Sequence, residues 1–348
     1  MKNTYILLAF CLSAIFVKQT LGEPVVISGD SSDIEVRRML SGKLVKTFKA
    51  KGYGKLCVAA FYEEDMLFYA AYGKIYKIAL LDENGQPTIS KIGKLLTDPS
   101  ADHQETKLFE MRSDYIQGMV VDKTRRKVVF SDFTDICEIN FDGSGFRKLV
   151  KGKRSFSLDI LGDQLFFSDR VGPGSYTIYR TTITLTNKTI SCEQKGGPCK
   201  KIVSEGKDFV TSMMVERNSK KLYFRRGSGS DFIAVVDTNL PDSAYPVQTP
   251  RVVISDSQYV NGYGGIAVHG NRLVWNRGGS SWGRLLLGLM NNNLNFVSKK
   301  HIYNFGDESY GNVPRQLDVF EHMFPTQAPT NPKPTTQGQC QCPCKCPT

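Results

Sequence analysis

At 348 residues the chain is long enough for one large or two ordinary domains. Its four histidines, no two at metal-ligand spacing, argue against a zinc centre. Its formal charge of +11 points to anionic partners, and no apolar run in it is long enough to cross a bilayer.

Residues 1–22 read as a secretion leader. Lys2 supplies a positive start, Tyr5 to Val17 is apolar, and Thr20, Leu21 and Gly22 precede an expected cleavage before Glu23. Its removal takes Lys2 and Lys18 and no acid. A basic secreted protein would meet an extracellular protein or an acidic polysaccharide, and the compartment argues against nucleic acid. The basic residues are scattered through short turns. Solvated turns and a dedicated patch therefore both remain open.

From Glu23 onward one unit recurs. Its centre is a short apolar strand followed by a loop and a second strand. The copies begin at Val25–Gly29, Leu67–Ala71, Val128–Asp132, Leu165–Asp169, Leu222–Arg226 and Leu273–Arg277. Five of the six are preceded by another short strand that starts at or near a small residue: Leu56–Ala60, Gly118–Asp122, Ser157–Ile160, Ser212–Glu216 and Gly265–His269. Small residues suit strands that approach one another closely around an axis. Six copies of a four-stranded antiparallel unit, roughly 40–60 residues apart, predict an all-β, six-bladed β-propeller over 23–324. The first copy lacks its inner strand. Gln316–Phe320 is a spare strand, expected to fill that place beside Val25–Ile27 and close the ring by pairing the two ends of the chain.

Residues 325–339 form a Pro/Thr-rich linker, expected to be extended. Residues 340–348 form a cysteine-rich tail. Cys11 falls in the leader, which leaves eight cysteines, an even number that favours disulfides in a secreted chain. Cys192 and Cys199 flank a turn-rich loop and are expected to bridge. Cys57 and Cys137 either pair or stand as two buried thiols. Cys340, Cys342, Cys344 and Cys346 have three readings: cross-links between chains, internal pairing, and thiolate metal binding. Cross-linking suits an exposed, cysteine-dense end best.

Candidate sites are few. Arg225, Arg226, Arg277, Trp282 and Arg284 either contact a ligand on one face of the ring or fasten blade to blade. His269 follows an inner strand and is placed near the channel mouth or in a plain turn. Asn187 opens a glycosylation sequon with Thr189. No Gly-x-Ser-x-Gly elbow marks a nucleophile, and no catalytic residue, metal or cofactor is assigned.

The segment Gly118–Asp122, Val128–Asp132 and Phe141-Asp142-Gly143-Ser144-Gly145-Phe146-Arg147-Lys148-Leu149-Val150 resembles the low-density-lipoprotein-receptor class B repeat, the Tyr-Trp-Thr-Asp blade. The motif's Asp survives as Asp132 and Asp169, and its Trp as Trp275. The resemblance implies that these two aspartates tie blades together, and that the protein is a binding scaffold with no enzymatic activity. The expected function is a secreted matrix or structural binding protein, with self-assembly through the tail. The alternatives are a soluble modulator of signalling or scavenger, and a diverged propeller hydrolase.

Overall fold

In the computed structural model the described residues run from 24 to 320, apart from 30–31, 52–56, 91–92, 112–115, 133, 173–174, 184–187, 194–196, 208, 228–231, 248, 256–263, 279–282 and 305–316. They form a six-bladed β-propeller. Blade 1 combines β1 (Val25–Gly29), β2 (Asp33–Arg38) and β3 (Leu44–Lys49) with β25 (Leu317–Phe320). Blade 2 is β4 (Cys57–Phe61), β5 (Met66–Ala71), β6 (Lys74–Leu80) and β7 (His103–Glu110). Blade 3 is β8 (Gly118–Asp122), β9 (Lys127–Ser131), β10 (Ile136–Asn140) and β11 (Arg147–Lys151), with the two-residue β15 (Ile190–Ser191) added at its outer edge. Blade 4 is β12 (Leu158–Leu161), β13 (Gln164–Gly172), β14 (Ser175–Thr182) and β16 (Cys199–Lys207). Blade 5 is β17 (Phe209–Glu216), β18 (Lys221–Gly227), β19 (Phe232–Asp237) and β20 (Arg251–Ile254). Blade 6 is β21 (Ile266–His269), β22 (Arg272–Gly278), β23 (Gly283–Met290) and β24 (Phe296–Asn304).

The ring closes as the sequence predicts. β25 lies antiparallel to β1, with Val25 opposite Phe320 and Ser28 opposite Leu317. It takes the inner place that blade 1 lacks, and the edge of β1 is thereby paired.

The second strands read as continuous apolar runs because both of their faces are buried. Along β5, Leu67, Tyr69 and Ala71 enter the cluster shared with blade 1, while Phe68 and Ala70 enter the cluster shared with blade 3. Along β18, Leu222 and Phe224 turn toward blade 4 and Tyr223 toward blade 6. The two-residue period of a strand thus sends alternate side chains into different inter-blade cores. At about 25 cal/mol per Å² of apolar surface buried, these cores are the main stabilising term.

Turns are shaped by the neighbouring blade. Gly143 has φ +87°, and a Cβ there would lie 2.2 Å from the Leu108 carbonyl oxygen on β7. Gly118 opens β8 where a Cβ would stand 3.0 Å from the Phe156 carbonyl oxygen, just before β12. Gly143 requires glycine because another blade's backbone is already there, while a side chain at Gly118 would need the Phe156 backbone to give by a few tenths of an ångström.

Blades 2 and 3 are also held by charge. The 3-10 turn Tyr62–Glu64 presents Glu63 to Lys123 at 2.7 Å and Glu64 to Arg126. The basic turn Lys123–Lys127 is therefore bound rather than merely solvated. The long connection between β6 and β7 is pinned from two sides. The buried Asp65 carboxylate accepts the Ser90 and Leu95 N–H groups at 2.7 and 2.8 Å. The Lys46 ammonium of β3 donates to the Asp98 and Ala101 carbonyls at 3.1 and 2.8 Å. No helix among the described residues is long and apolar enough to cross a membrane.

Cys192 and Cys199 are bonded. The bridge joins the end of β15, which pairs with β11 of blade 3, to the start of β16 in blade 4. Cys57 and Cys137 are two buried thiols outside any disulfide, Cys57 donating to the Ile116 carbonyl, and burial pushes Cys137 up to about 12.

Candidate functional site

The inner strands β25, β4, β8, β12, β17 and β21 surround the axis, and each presents one unpaired edge. Two pairs of blades fasten these edges with the same device. Ser157 Oγ and Asp159 Oδ2 accept the Met213 and Val215 N–H groups at 2.8 and 2.6 Å. One blade further on, Ser212 Oγ and Met214 Sδ accept the Ile266 and Val268 N–H groups at 3.1 and 3.3 Å. Side chains two residues apart on one strand thus satisfy amides two residues apart on the next, as a buried amide requires.

Between the inner strands lies a cavity of about 270 Å³. Its walls are apolar and include Ala59, Met119, Met213, Val268 and Leu317. Its polar lining comes from the turns that follow the inner strands, and includes Tyr62, Glu63, Lys123, Arg217, Asn218 and His269, together with Asp159 and Glu216. Lys123 is committed: it pairs with Glu63, and its ammonium lies 4.7 Å from the centre of the Tyr62 ring. Arg217 is exposed and donates to the Ile160 carbonyl at 3.2 Å. Burial alone would push Glu216 up. The N–H groups of Ser219, Asn218 and Gly270 and the Ser219 hydroxyl outweigh it, and they hold the carboxyl below its ordinary value of 4.5.

The sequence-predicted residues are distributed differently. His269 does line this cavity. Arg225 is fully buried, and its Nη1 donates to the Asn276 carbonyl of blade 6 at 2.6 Å. It occupies a blade-to-blade position because the charge follows the buried second strand inward. Arg226 lies 4.1 Å over the Phe232 ring of its own blade. The backbones of Arg277 and Arg284 face each other across β22 and β23. Their side chains and Trp282 lie outside the described residues, as do Asn187 and the tail cysteines Cys340, Cys342, Cys344 and Cys346.

The two motif aspartates divide. Asp169 accepts from Lys153 Nζ at 2.8 Å and from the Arg154 N–H at 3.2 Å, and so holds the segment entering from blade 3. Among the described residues Asp132 accepts within its own loop, from the Thr134 and Asp135 N–H groups, each at 2.6 Å. There it shapes that loop. Its neighbour also reaches the next blade: Ser131 Oγ donates to the Ser155 carbonyl at 2.8 Å.

Sequence reasoning passed over Glu63, Lys123, Glu216 and Arg217. The available signal was positional, because each stands at the end of an inner strand or just beyond it. Among the described residues no three His, Cys, Asp or Glu side chains come together to hold a metal ion.

No protein-family model and no curated protein matches the chain. Solved structures do. The chain is similar to a structure of a nidogen–laminin complex at 11% identity and TM-score 0.56, covering 85% of this chain and 98% of that one. It also matches a protein of unknown function from Bacteroides caccae at 8% identity, with TM-score 0.49 and coverage of 86% and 99%. A third match is a putative 6-phosphogluconolactonase from Bacteroides uniformis, at 12% identity and TM-score 0.47, with coverage of 86% and 85%. At such identities the likeness establishes a fold and nothing finer: this chain is a β-propeller.

Proposed function

We propose that the chain is a secreted, non-enzymatic binding protein whose propeller holds an anionic extracellular macromolecule, with residues 325–348 as a stalk and cross-linking tail. The observation that carries this reading is how charge is divided between interior and surface. Among the described residues, eight acids are buried: Asp65, Asp122, Asp132, Asp135, Glu138, Asp159, Asp169 and Glu216. Only four bases are: Arg37, Lys46, Lys153 and Arg225. Folding therefore buries more acids than bases, and although Asp122, Asp135 and Glu138 neutralise Arg125, Lys148 and Arg147, the chain's excess of basic residues stays with the exterior. Exposed lysines stand on outer strands: Lys151 of β11, Lys200 and Lys201 of β16, and Lys299 and Lys300 of β24, while Lys148 of β11 pairs with Asp135 at 2.6 Å. Such a field attracts sulfated or carboxylated chains.

Two further points support the reading. The blade-3 sequence resembles the class B repeat, and we infer kinship with those propellers. The nidogen propeller is a precedent for a protein partner, since that structure is a complex with laminin.

Retention on immobilised heparin tests the proposal. The full chain binds and elutes above physiological salt, and the triple variant Lys151→Glu, Lys200→Glu, Lys201→Glu elutes earlier. Passage of the unaltered chain through the column at physiological salt would overturn the anionic-partner reading.

A further inference from the structure

One stretch of the rim is built differently from the rest. Among the described residues only blade 3 has a fifth strand, β15, and the Cys192–Cys199 bridge ties it to β16 of blade 4 with the two Cα atoms 5.1 Å apart. Strand register fixes which way the neighbouring side chains turn. On β14, Arg180 turns toward blade 5, where it donates to the Thr238 carbonyl at 2.9 Å and lies 5.0 Å over the Tyr245 ring. Tyr179 and Thr181 therefore turn the other way, toward blade 3. Opposite them on β16 stand Lys201 and Cys199, which share that side. On blade 3, Lys151 of β11 lies beside Ser191, the residue before Cys192. Lys188 leads into β15, and Arg147 Nη1 holds its carbonyl at 3.3 Å. Three lysines from both sides of the cleft between blades 3 and 4 thus surround one bridge.

Other bases in this region are already engaged. Lys148 is taken by Asp135 and Lys153 by Asp169, and Arg154 and Lys200 have contacts of their own. Lys151, Lys188 and Lys201 are exposed and make no ion pair among the described residues. Against them stands the exposed Glu193, whose Oε1 would lie 3.5 Å from a Cβ at Gly152. A local excess of positive charge remains. The rest of the cleft decides the class of partner. Thr182, Thr189 and Ser191 offer exposed hydroxyls. None of the large hydrophobic side chains exposed among the described residues belongs to this stretch, and that of blade 3, Phe146, stacks on Phe109 of blade 2 instead. A protein partner draws its affinity from apolar and aromatic anchors, which are missing from this stretch. Hydrated ammonium groups interleaved with hydroxyls suit a hydrated polyanion.

We propose that the disulfide-clasped cleft between blades 3 and 4 binds a sulfated polysaccharide through Lys151, Lys188 and Lys201, and that the Cys192–Cys199 bridge preorganises these lysines for it. Holding them in one arrangement before the ligand arrives lowers the ordering cost of binding. The proposal rests on the anionic-partner reading above and gives that partner a place and a chemical class.

Fluorescence anisotropy of a labelled heparin octasaccharide, titrated with the full chain, tests the assignment. The triple variant Lys151→Gln, Lys188→Gln, Lys201→Gln binds about tenfold more weakly, and the blade-6 pair Lys299→Gln, Lys300→Gln changes binding by less than about twofold. The pair Cys192→Ser, Cys199→Ser keeps every lysine and binds severalfold more weakly. Substitution serves better than a reductant, which would also reach the tail cysteines. Thermal melts check that each variant is folded, and the exposed lysine triple carries the test if the serine pair is not. A poly-glutamate peptide of equal charge competes about tenfold less well than unlabelled octasaccharide. The proposal is overturned if the blade-6 pair costs as much as the triple, if the folded serine pair binds unchanged, or if poly-glutamate competes equally. A parent chain that leaves the octasaccharide unbound removes the anionic-partner reading itself. A parent that binds while the triple is unaffected removes this cleft alone.

Discussion

Five inner-strand turns share a feature that concerns single residues. The residue before or near the start of the second strand is left-handed in each: Asp65 at φ 49°, Arg126 at 55°, Gly162 at 60°, Lys220 at 53° and Gly270 at 56°. A side chain in that region costs about 1–2 kcal/mol relative to glycine. Lys220 is exposed, so Lys220→Gly is expected to stabilise the fold by about 0.5–1 kcal/mol once glycine's extra freedom in the unfolded chain is subtracted. A rise of about 2 °C in the melting temperature checks it. Arg225 is the opposite case. Arg225→Met leaves the Asn276 carbonyl in the interior without this donor and is expected to cost about 1–3 kcal/mol, read by urea unfolding. Glu216 gives a pH dependence with a definite sign. Its folded-state pKa lies below the ordinary 4.5, so its contribution is fully present above that value and is lost as pH falls through the folded one. The Glu216→Gln protein should lose less stability than the parent on acidification below about pH 4.5, as followed by thermal melts.

At the scale of elements, the disulfide is a clasp between blades. Thr189 Oγ1 donates to the Lys148 carbonyl at 3.0 Å and Arg147 Nη1 to the Lys188 carbonyl at 3.3 Å, so β15 lies along β11 in parallel register. Isolated two-residue strands hold poorly. Reduction of Cys192–Cys199 should therefore accelerate amide exchange around Ile190 and along β11, while the inner strand β8 stays protected; equal exchange before and after reduction would contradict this. The same elements show what a sequence discloses. Blades were legible because β5, β9, β13, β18 and β22 are buried on both faces and read as unbroken apolar runs. The closing strand was legible because blade 1 visibly lacked a partner. The left-handed turns were not legible, since Asp65, Arg126 and Lys220 carry no glycine signal. Nor was the clasp of Glu63 and Glu64 onto Lys123 and Arg126, whose partners lie about 60 residues apart. The cavity was hidden for the same reason, because its lining is gathered from every blade. Arg225 stayed ambiguous because an arginine stands close to where the repeat keeps its Asp, and only burial decides between a partner outside and a carbonyl inside.

The whole molecule combines an axial cavity lined from every blade with a seam where β1 meets β25. If the tail cross-links, the full chain should run as disulfide-linked multimers on non-reducing gels. A chain ending before residue 325 should then run as monomer, and a monomeric full chain would remove the cross-linking role. The seam itself has a mechanical consequence. Because Val25 lies opposite Phe320, the outward ends of β1 and β25 emerge at the same end of their ladder. Tension applied between residues 24 and 321 therefore loads the hydrogen bonds one after another, as in opening a zip, rather than all together in shear. Stretched across its seam, the ring would yield at low force by peeling blade 1 open, and the other five sheets would still be intact at that moment.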